Sequence, residues 1–338
     1  MIPGRTSFWA HLARESLLGN RGLTKAVMAL LTWAVIRTLE ESRPVPGGDA
    51  AGFFRILFVV VCWILVCILT NDLADRREDL AAGKKRWIAR LPLGAAVLVI
   101  TALFGGGLAA VLTAHIPGGA AVVYASAAAL GFLYSVRPFR LKRQGAWGIL
   151  VYSLAGTAAY VVLPWIWMGA SPWILAGLAP AVFLDKWVNI HFHQIIDHAS
   201  DLGSGTQSYA VRAGIERAVG TLRTASAVAA LWFAGVIVFV SWIQTSVWRA
   251  LVLAVAVIIV LGSAYYSAAS KRKARGGTHL VRELPFFYLG ASYALFRATP
   301  LVLMARLALG HPGLIAPAAA AFVLVAAESF FVYSYRYE

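Results

Sequence analysis

The chain has 338 residues, is 60% hydrophobic and only 13% charged, and carries a formal net charge of +15 at a mean hydropathy of +0.73. Uncharged runs of about twenty residues, the length a helix needs to cross a bilayer, recur throughout and exclude a soluble domain. The runs do not alternate in polarity, which excludes a β-barrel, so the expected fold class is an all-α polytopic membrane protein.

Residues 1–22 hold a basic, mildly amphipathic stretch around Phe8, Trp9, Leu17 and Leu18. It lacks an apolar run and a small-residue cleavage site, so it is expected to lie on the membrane surface and not to act as a signal peptide. Ten candidate spans follow, at 23–39, 51–71, 91–114, 119–136, 146–168, 173–196, 217–241, 247–269, 284–309 and 312–334. Residues 23–338 read as one transmembrane catalytic domain, with 312–334 as a possible extra helix.

The connections sort by charge. Even-numbered exits are basic, for example Arg76 to Arg90, Arg137 to Arg143 and Lys271 to Arg282, whereas Glu40–Ala50 holds one Arg against three acids. By the positive-inside rule both termini and every basic loop are cytoplasmic; the expected location is the cytoplasmic membrane of a prokaryote. Because the basic residues cluster in these loops, they read as topology determinants and anion contacts, and no nucleic-acid partner is expected. Cys62 and Cys67 share one apolar run and suggest neither a disulfide nor a metal site.

The second span runs into Asn71-Asp-Leu-Ala-Asp75-Arg-Arg-Glu-Asp79, where Asp72, Asp75, Glu78 and Asp79 supply four of the chain's fifteen acidic residues. If the helix continues, Asp72, Asp75 and Asp79 share one face. The sixth span ends in the same frame, His193-Gln-Ile-Ile-Asp197-His-Ala-Ser-Asp201-Leu-Gly-Ser-Gly205. The two motifs sit four helices apart, an even step, so both emerge on one side. One such cluster is readily a solvated helix end. Two in a matched frame point to a shared site, because a carboxylate at the bilayer centre costs about 3 kcal/mol, and less near the interface. The donor set suits a hard cation such as Mg²⁺, which is usually held by one or two carboxylates plus substrate phosphate. His191, His193 and His198 lack a second group to complete a zinc site.

The remaining polar residues offer anion contacts. Lys84 follows the first motif, and the loop Tyr134-Ser-Val-Arg137-Pro-Phe-Arg140-Leu-Lys142-Arg143 lies on the same side. Arg137, Arg140 and Lys142 suit diphosphate oxygens, although topology alone accounts for most of these charges. Within the sixth span, Lys186, Asn189 and His193 fall on the Asp197 side of the helix. They form a polar stripe running roughly 16 Å inward, of the kind that faces a cavity or pairs with itself. Arg297 in the ninth span is a candidate partner for Asp185. Tyr134, Tyr152, Trp187 and Tyr209 are candidates for lining a pocket in which ring faces steady a carbocation.

Together, the Asn71–Asp79 motif, the Tyr134–Arg143 loop and Asp197-x-x-x-Asp201-x-x-x-Gly205-x-x-Ser208 resemble the UbiA superfamily of intramembrane prenyltransferases, over about residues 23–310. The resemblance implies a bundle of nine to ten transmembrane helices around a central cavity open to lipid. Two Mg²⁺ ions would bridge the motifs to an isoprenoid diphosphate, and a small-molecule acceptor would capture the allylic cation. It assigns Asn71, Asp72, Asp75, Asp79, Asp197 and Asp201 to metal and diphosphate, and Lys84, Arg137, Arg140 and Lys142 to diphosphate. The chain departs from the pattern at His193-Gln194, where an acidic or Asn-Asp pair is more usual, at Ser208 in place of Thr, and in its tenth span. The leading expectation is Mg²⁺-dependent transfer to an aromatic or similar acceptor, with Asp72, Asp75, Asp197, Asp201 and His193 catalytic and Tyr134, Lys186, Asn189 and Gln194 around the substrate. A terpene cyclase on the same scaffold is the alternative. An ion-coupled transporter comes third, because its charges would sit near mid-membrane in broken helices, whereas these carboxylates sit at helix ends.

Overall fold

The structure, a computed structural model, describes residues 23–41, 48–81, 86–114, 116–203, 205–273 and 286–334. The amphipathic stretch expected at 1–22 lies outside these residues. The long helices are α1 (Leu23–Leu39), α2 (Asp49–Ala74), α3 (Leu93–Leu112), α4 (Gly119–Ser135), α5 (Ala146–Met168), α6 (Pro172–Ile196), α7 (Ile215–Trp242), α8 (Ser246–Lys273), α9 (Phe287–Gly310) and α10 (Ile315–Ser334). Each matches an expected span to within a few residues. Seven are long and apolar enough to cross a membrane, and α4 is a shorter apolar helix. No strand occurs among the described residues, only a single parallel bridge between Gly145 and Ser208.

Local chemistry sets the boundaries. Pro172 opens α6, where its missing N–H costs nothing, and Gly169 closes α5 in the left-handed region at φ 58°. Inside α5 and α9, Pro164 and Pro300 each follow a π-turn, at Ala158–Val162 and Ala294–Ala298. A proline cannot donate to the carbonyl four residues back and collides with it, so the wider turn absorbs the mismatch. These interruptions are again four helices apart, as are the two aspartate motifs.

α1 is the centre of the bundle. Every residue from Ala26 to Arg37 is buried, which requires a helix apolar all round, and the run Ala-Val-Met-Ala-Leu-Leu-Thr-Trp-Ala-Val-Ile meets that. Its one buried charge, Arg37, pairs with Asp49 at 2.8 Å and donates to the carbonyls of Glu40 and Glu41. α2, α5, α9 and α10 pack around it. α3 and α8 are the least buried spans. α8 reaches α9 at Gly290, where a Cβ would lie 2.8 Å from the Val260 Cα, a small-residue crossing of the membrane type. The tenth helix covers α1 and α9. Its connection is held by Glu41, which accepts from Arg306 Nη2 at 2.9 Å and sits 2.8 Å from His311 Nε2.

Candidate active site

The two motifs fold identically. Asp75 ends α2 and Asp197 ends α6, and the N–H of each bonds back to the carbonyl four residues earlier, Asn71 at 3.0 Å and His193 at 2.9 Å. A short helix follows each, Arg76–Ala81 and His198–Gly203, in which Asp79 N–H donates to the Asp75 carbonyl and Asp201 N–H to that of Asp197. The repeated frame in sequence is therefore a repeated backbone. Both place carboxylates at a helix C-terminus, where the helix dipole disfavours negative charge and a cation is required.

In the first motif the protein supplies that cation. Lys142 Nζ bridges Asn71 Oδ1, at 2.8 Å, and Asp75 Oδ2. Arg140 spans Asp75 at 2.6 Å and both oxygens of Glu78, from a backbone in the left-handed region at φ 39°, which is strained for a residue with a Cβ. Arg86 lies 3.9 Å from Asp72 and 3.6 Å from Asp79. Ser135 donates to Asn71 Oδ1 at 3.3 Å. Burial alone would push the Asp75 carboxyl up, but Lys142 and Arg140 outweigh it and hold it below the ordinary carboxylate value.

The second motif is more open. Asp197 and His193 are exposed. Asp201 is half-buried; burial pushes its carboxyl above the ordinary value and the nearby Asp197 adds to this, against the neighbouring Ser208 hydroxyl and the charges of Arg143 and His198. Arg143 joins the two motifs, since it also pairs with Glu78 at 2.9 Å. Tyr134 is in the field of Asp75, Asp197 and Asp201 together, and its ring packs 5.7 Å from Tyr152.

Among the expected residues, the structure brings Asn71, Asp75, Tyr134, Arg140, Lys142, Asp197 and Asp201 to one region. Arg137 is exposed and borders a cavity of about 660 Å³ on the outer side of the loop with Phe139, Arg140 and Gln144. Lys84 lies outside the described residues. Gln194, expected beside the substrate, is buried and its Oε1 accepts the Tyr209 N–H at 3.0 Å, which anchors the segment carrying Ser208. Lys186, also expected there, is buried about 16 Å along the helix from Asp197. Asp185 accepts from Tyr288 and Ser292; Arg297, its expected partner, acts electrostatically on that same Tyr288.

Sequence reading missed Lys25, whose ammonium sits 5.8 Å over the Tyr152 ring. Nothing in the sequence separates it from a topology charge, and only the central position of α1 carries it to the site.

A divalent cation fits these residues. Asn71 Oδ1 and Asp75 Oδ2 are hard oxygen donors, the kind Mg²⁺ takes alongside phosphate oxygens; no three His, Cys or acidic side chains converge on one point among the described residues. Lys142 already places a positive charge between these two donors.

The fold defines an integral, multi-pass membrane protein with paired aspartate caps at two helix ends. The chain belongs to the UbiA prenyltransferase family, whose sequence profile matches residues 27–289; α10 lies beyond that match. Among solved structures it is similar to a UbiA homolog from Archaeoglobus fulgidus bound to DMAPP and Mg²⁺, at 18% identity and a TM-score of 0.55, covering 81% of this chain and 96% of that one. The same homolog bound to GPP and Mg²⁺ aligns at 19% identity and a TM-score of 0.54, covering 84% and 98%. A structure of digeranylgeranylglyceryl phosphate synthase aligns at 14% identity and a TM-score of 0.60, covering 86% and 96%. No curated protein sequence matches the chain. At these identities the structural likeness establishes the fold.

Proposed function

We propose that the chain is a Mg²⁺-dependent intramembrane prenyltransferase that ionises an isoprenoid diphosphate and passes the prenyl group to an aromatic or similarly activated acceptor. The observation that carries this reading is the pair of identically folded aspartate caps, each ending a long helix and followed by a short one. Asn71, Asp72, Asp75 and Asp79 would hold metal on one side, and Asp197 and Asp201 on the other. Bound Mg²⁺ would supply Lewis-acid neutralisation of the diphosphate charge.

The chain's own residues do the rest. Lys142, Arg140 and Arg143 are poised to exchange carboxylate partners for diphosphate oxygens, which stabilises the leaving group as the allylic C–O bond breaks and its electron pair departs. The rings of Tyr134 and Tyr152 present π-faces toward developing positive charge. The acceptor's nucleophilic atom then bonds to the allylic carbon, and His193, exposed one turn before Asp197, is placed to take the proton released. The basic loops favour a cytoplasmic mouth and cytoplasmic termini.

The test is incubation with geranyl, farnesyl and geranylgeranyl diphosphates and Mg²⁺, with and without lipid extract or aromatic acids. A prenylated acceptor is expected. A cyclic hydrocarbon formed without acceptor would make the chain a terpene cyclase instead, and intact diphosphates under all conditions would overturn both readings.

A further inference from the structure

Glu78 differs from the other acids of the first motif. Asp72 and Asp79 are buried, and the Asp75 side chain is 16% exposed, whereas that of Glu78 is 43% exposed. The Glu78 carboxylate is nevertheless fully engaged. Arg140 Nη1 donates to Oε1 at 3.0 Å and Arg140 Nη2 to Oε2, and Arg143 Nη2 lies 2.9 Å from Oε2. Every one of these donors comes from the loop between α4 and α5, while Glu78 sits on the short helix Arg76–Ala81. Because the Arg140 side chain is only 6% exposed, the exposed carboxylate is part of what covers a buried guanidinium. The grip is the two-pronged one that a guanidinium gives a carboxylate and a phosphate alike, so Glu78 occupies the donors that phosphate oxygens would take.

We propose that Glu78 is an internal competitor for the diphosphate: it holds Arg140 and Arg143 before substrate binds, yields them to the substrate, and reclaims them from inorganic diphosphate after prenyl transfer. The inference rests on the reading above, in which these two arginines meet the diphosphate. Glu78 then weakens binding of substrate and of inorganic diphosphate alike and speeds departure of the latter. It is a positioning residue, and the sign of its effect is opposite to that of its neighbours. Removing an acid that holds metal weakens diphosphate binding; removing Glu78 strengthens it.

The geometry permits this exchange at Glu78 and opposes it at Asp75. A part-exposed ion pair is weak, because water solvates the carboxylate when it lets go, and a diphosphate brings more negative charge than one carboxylate. Arg140 is not stranded when Glu78 leaves, since its Nη2 still donates to Asp75 Oδ1 at 2.6 Å. Release of Asp75, by contrast, would also strip Lys142 of its carboxylate. The loop keeps its place without Glu78. Lys142 ties it to Asn71 at 2.8 Å, Gln144 Nε2 donates to the Phe139 carbonyl at 2.6 Å, and the Gly145 N–H donates to the Gln207 carbonyl at 3.0 Å. With those ties in place, the Glu78 contact is free to open while the loop stays.

The experiment titrates inorganic diphosphate into the full chain in lipid nanodiscs by calorimetry, with and without Mg²⁺, and measures KM for geranyl, farnesyl and geranylgeranyl diphosphates. Glu78→Gln removes the charge at the same size. It should tighten inorganic diphosphate binding by about fivefold in both conditions, the upper range for a part-exposed pair, and lower KM by a similar factor. Dissociation of inorganic diphosphate should slow correspondingly, since affinity changes of this kind fall mostly on the off-rate. Glu78→Ala should act in the same direction, and it decides the matter if thermal melts show that the Gln variant does not fold. Unchanged constants in the folded variants would make Glu78 a passive surface acid, and weaker binding would place it with Asp75; either result overturns the competitor and leaves the prenyltransferase reading intact. A wild type that neither binds inorganic diphosphate nor releases it from any of the three substrates would overturn that reading and the competitor with it.

Discussion

Asp75 and Asp197 occupy the same position in the same backbone, each ending a long helix and followed by a short one. Their surroundings differ. Asp75 is clamped by Lys142 and Arg140, whereas Asp197 is exposed. The carboxyl of Asp75 is held low by its cations, and that of Asp201 is pushed high by burial and by its neighbour Asp197. A repeated motif thus yields one half clamped by several cations and one half that is more open. The asymmetry comes from the Tyr134–Arg143 loop, which reaches the first motif with three cations and the second chiefly through Arg143.

If both halves serve one metal-diphosphate site, removing the metal should have the largest effect. Excess chelator is expected to abolish diphosphate release, with recovery on adding Mg²⁺; persistent release in chelator would break the comparison at its root. Next come the aspartates. Asp75→Ala and Asp197→Ala should each lower turnover by about 10³-fold, but their thermal melts should differ. Losing Asp75 leaves Lys142 with Asn71 Oδ1 in place of a carboxylate, while Arg140 keeps Glu78, at a cost of about 3 kcal/mol; the exposed Asp197 changes stability by less than about 0.5 kcal/mol. Matching melting temperatures in the two variants would refute the asymmetry.

A smaller effect, about 10²-fold, is expected for His193→Ala on acceptor-dependent product, with stability unchanged. Equal product yield would return His193 to a passive position on the stripe. Lys142→Met should raise the diphosphate KM roughly tenfold, the loss of one charge-assisted contact, with less effect on kcat. A drop confined to kcat would mean that Lys142 serves only to neutralise Asp75.

Several features of the site were legible because they are local. The frame shared by Asn71–Asp79 and His193–Gly205 announced two equivalent caps, and both formed. Gln194 could not be read so directly. In sequence it stands beside His193 at the head of a metal-binding frame, yet α6 turns it away and its oxygen serves the Tyr209 N–H, fifteen residues on. Lys186 likewise belonged to the stripe by periodicity, but periodicity carries no information about depth of burial. Lys25 looked like any positive charge at a span end until α1 proved central.

By itself, the sequence determined the helical spans, their order and the matched caps, because hydropathy, helix period and loop charge are properties of contiguous residues. Only the tertiary structure decided which cations meet which carboxylates, across separations of 62 to 71 residues for Arg140 and Lys142. It alone decided that Asp185 and Lys186 are buried, because the surfaces they meet are Gly156 and Tyr160 on α5 and Tyr288 and Ser292 on α9. Contacts of that kind depend on how the helices pack together, which the pattern along any one helix does not encode.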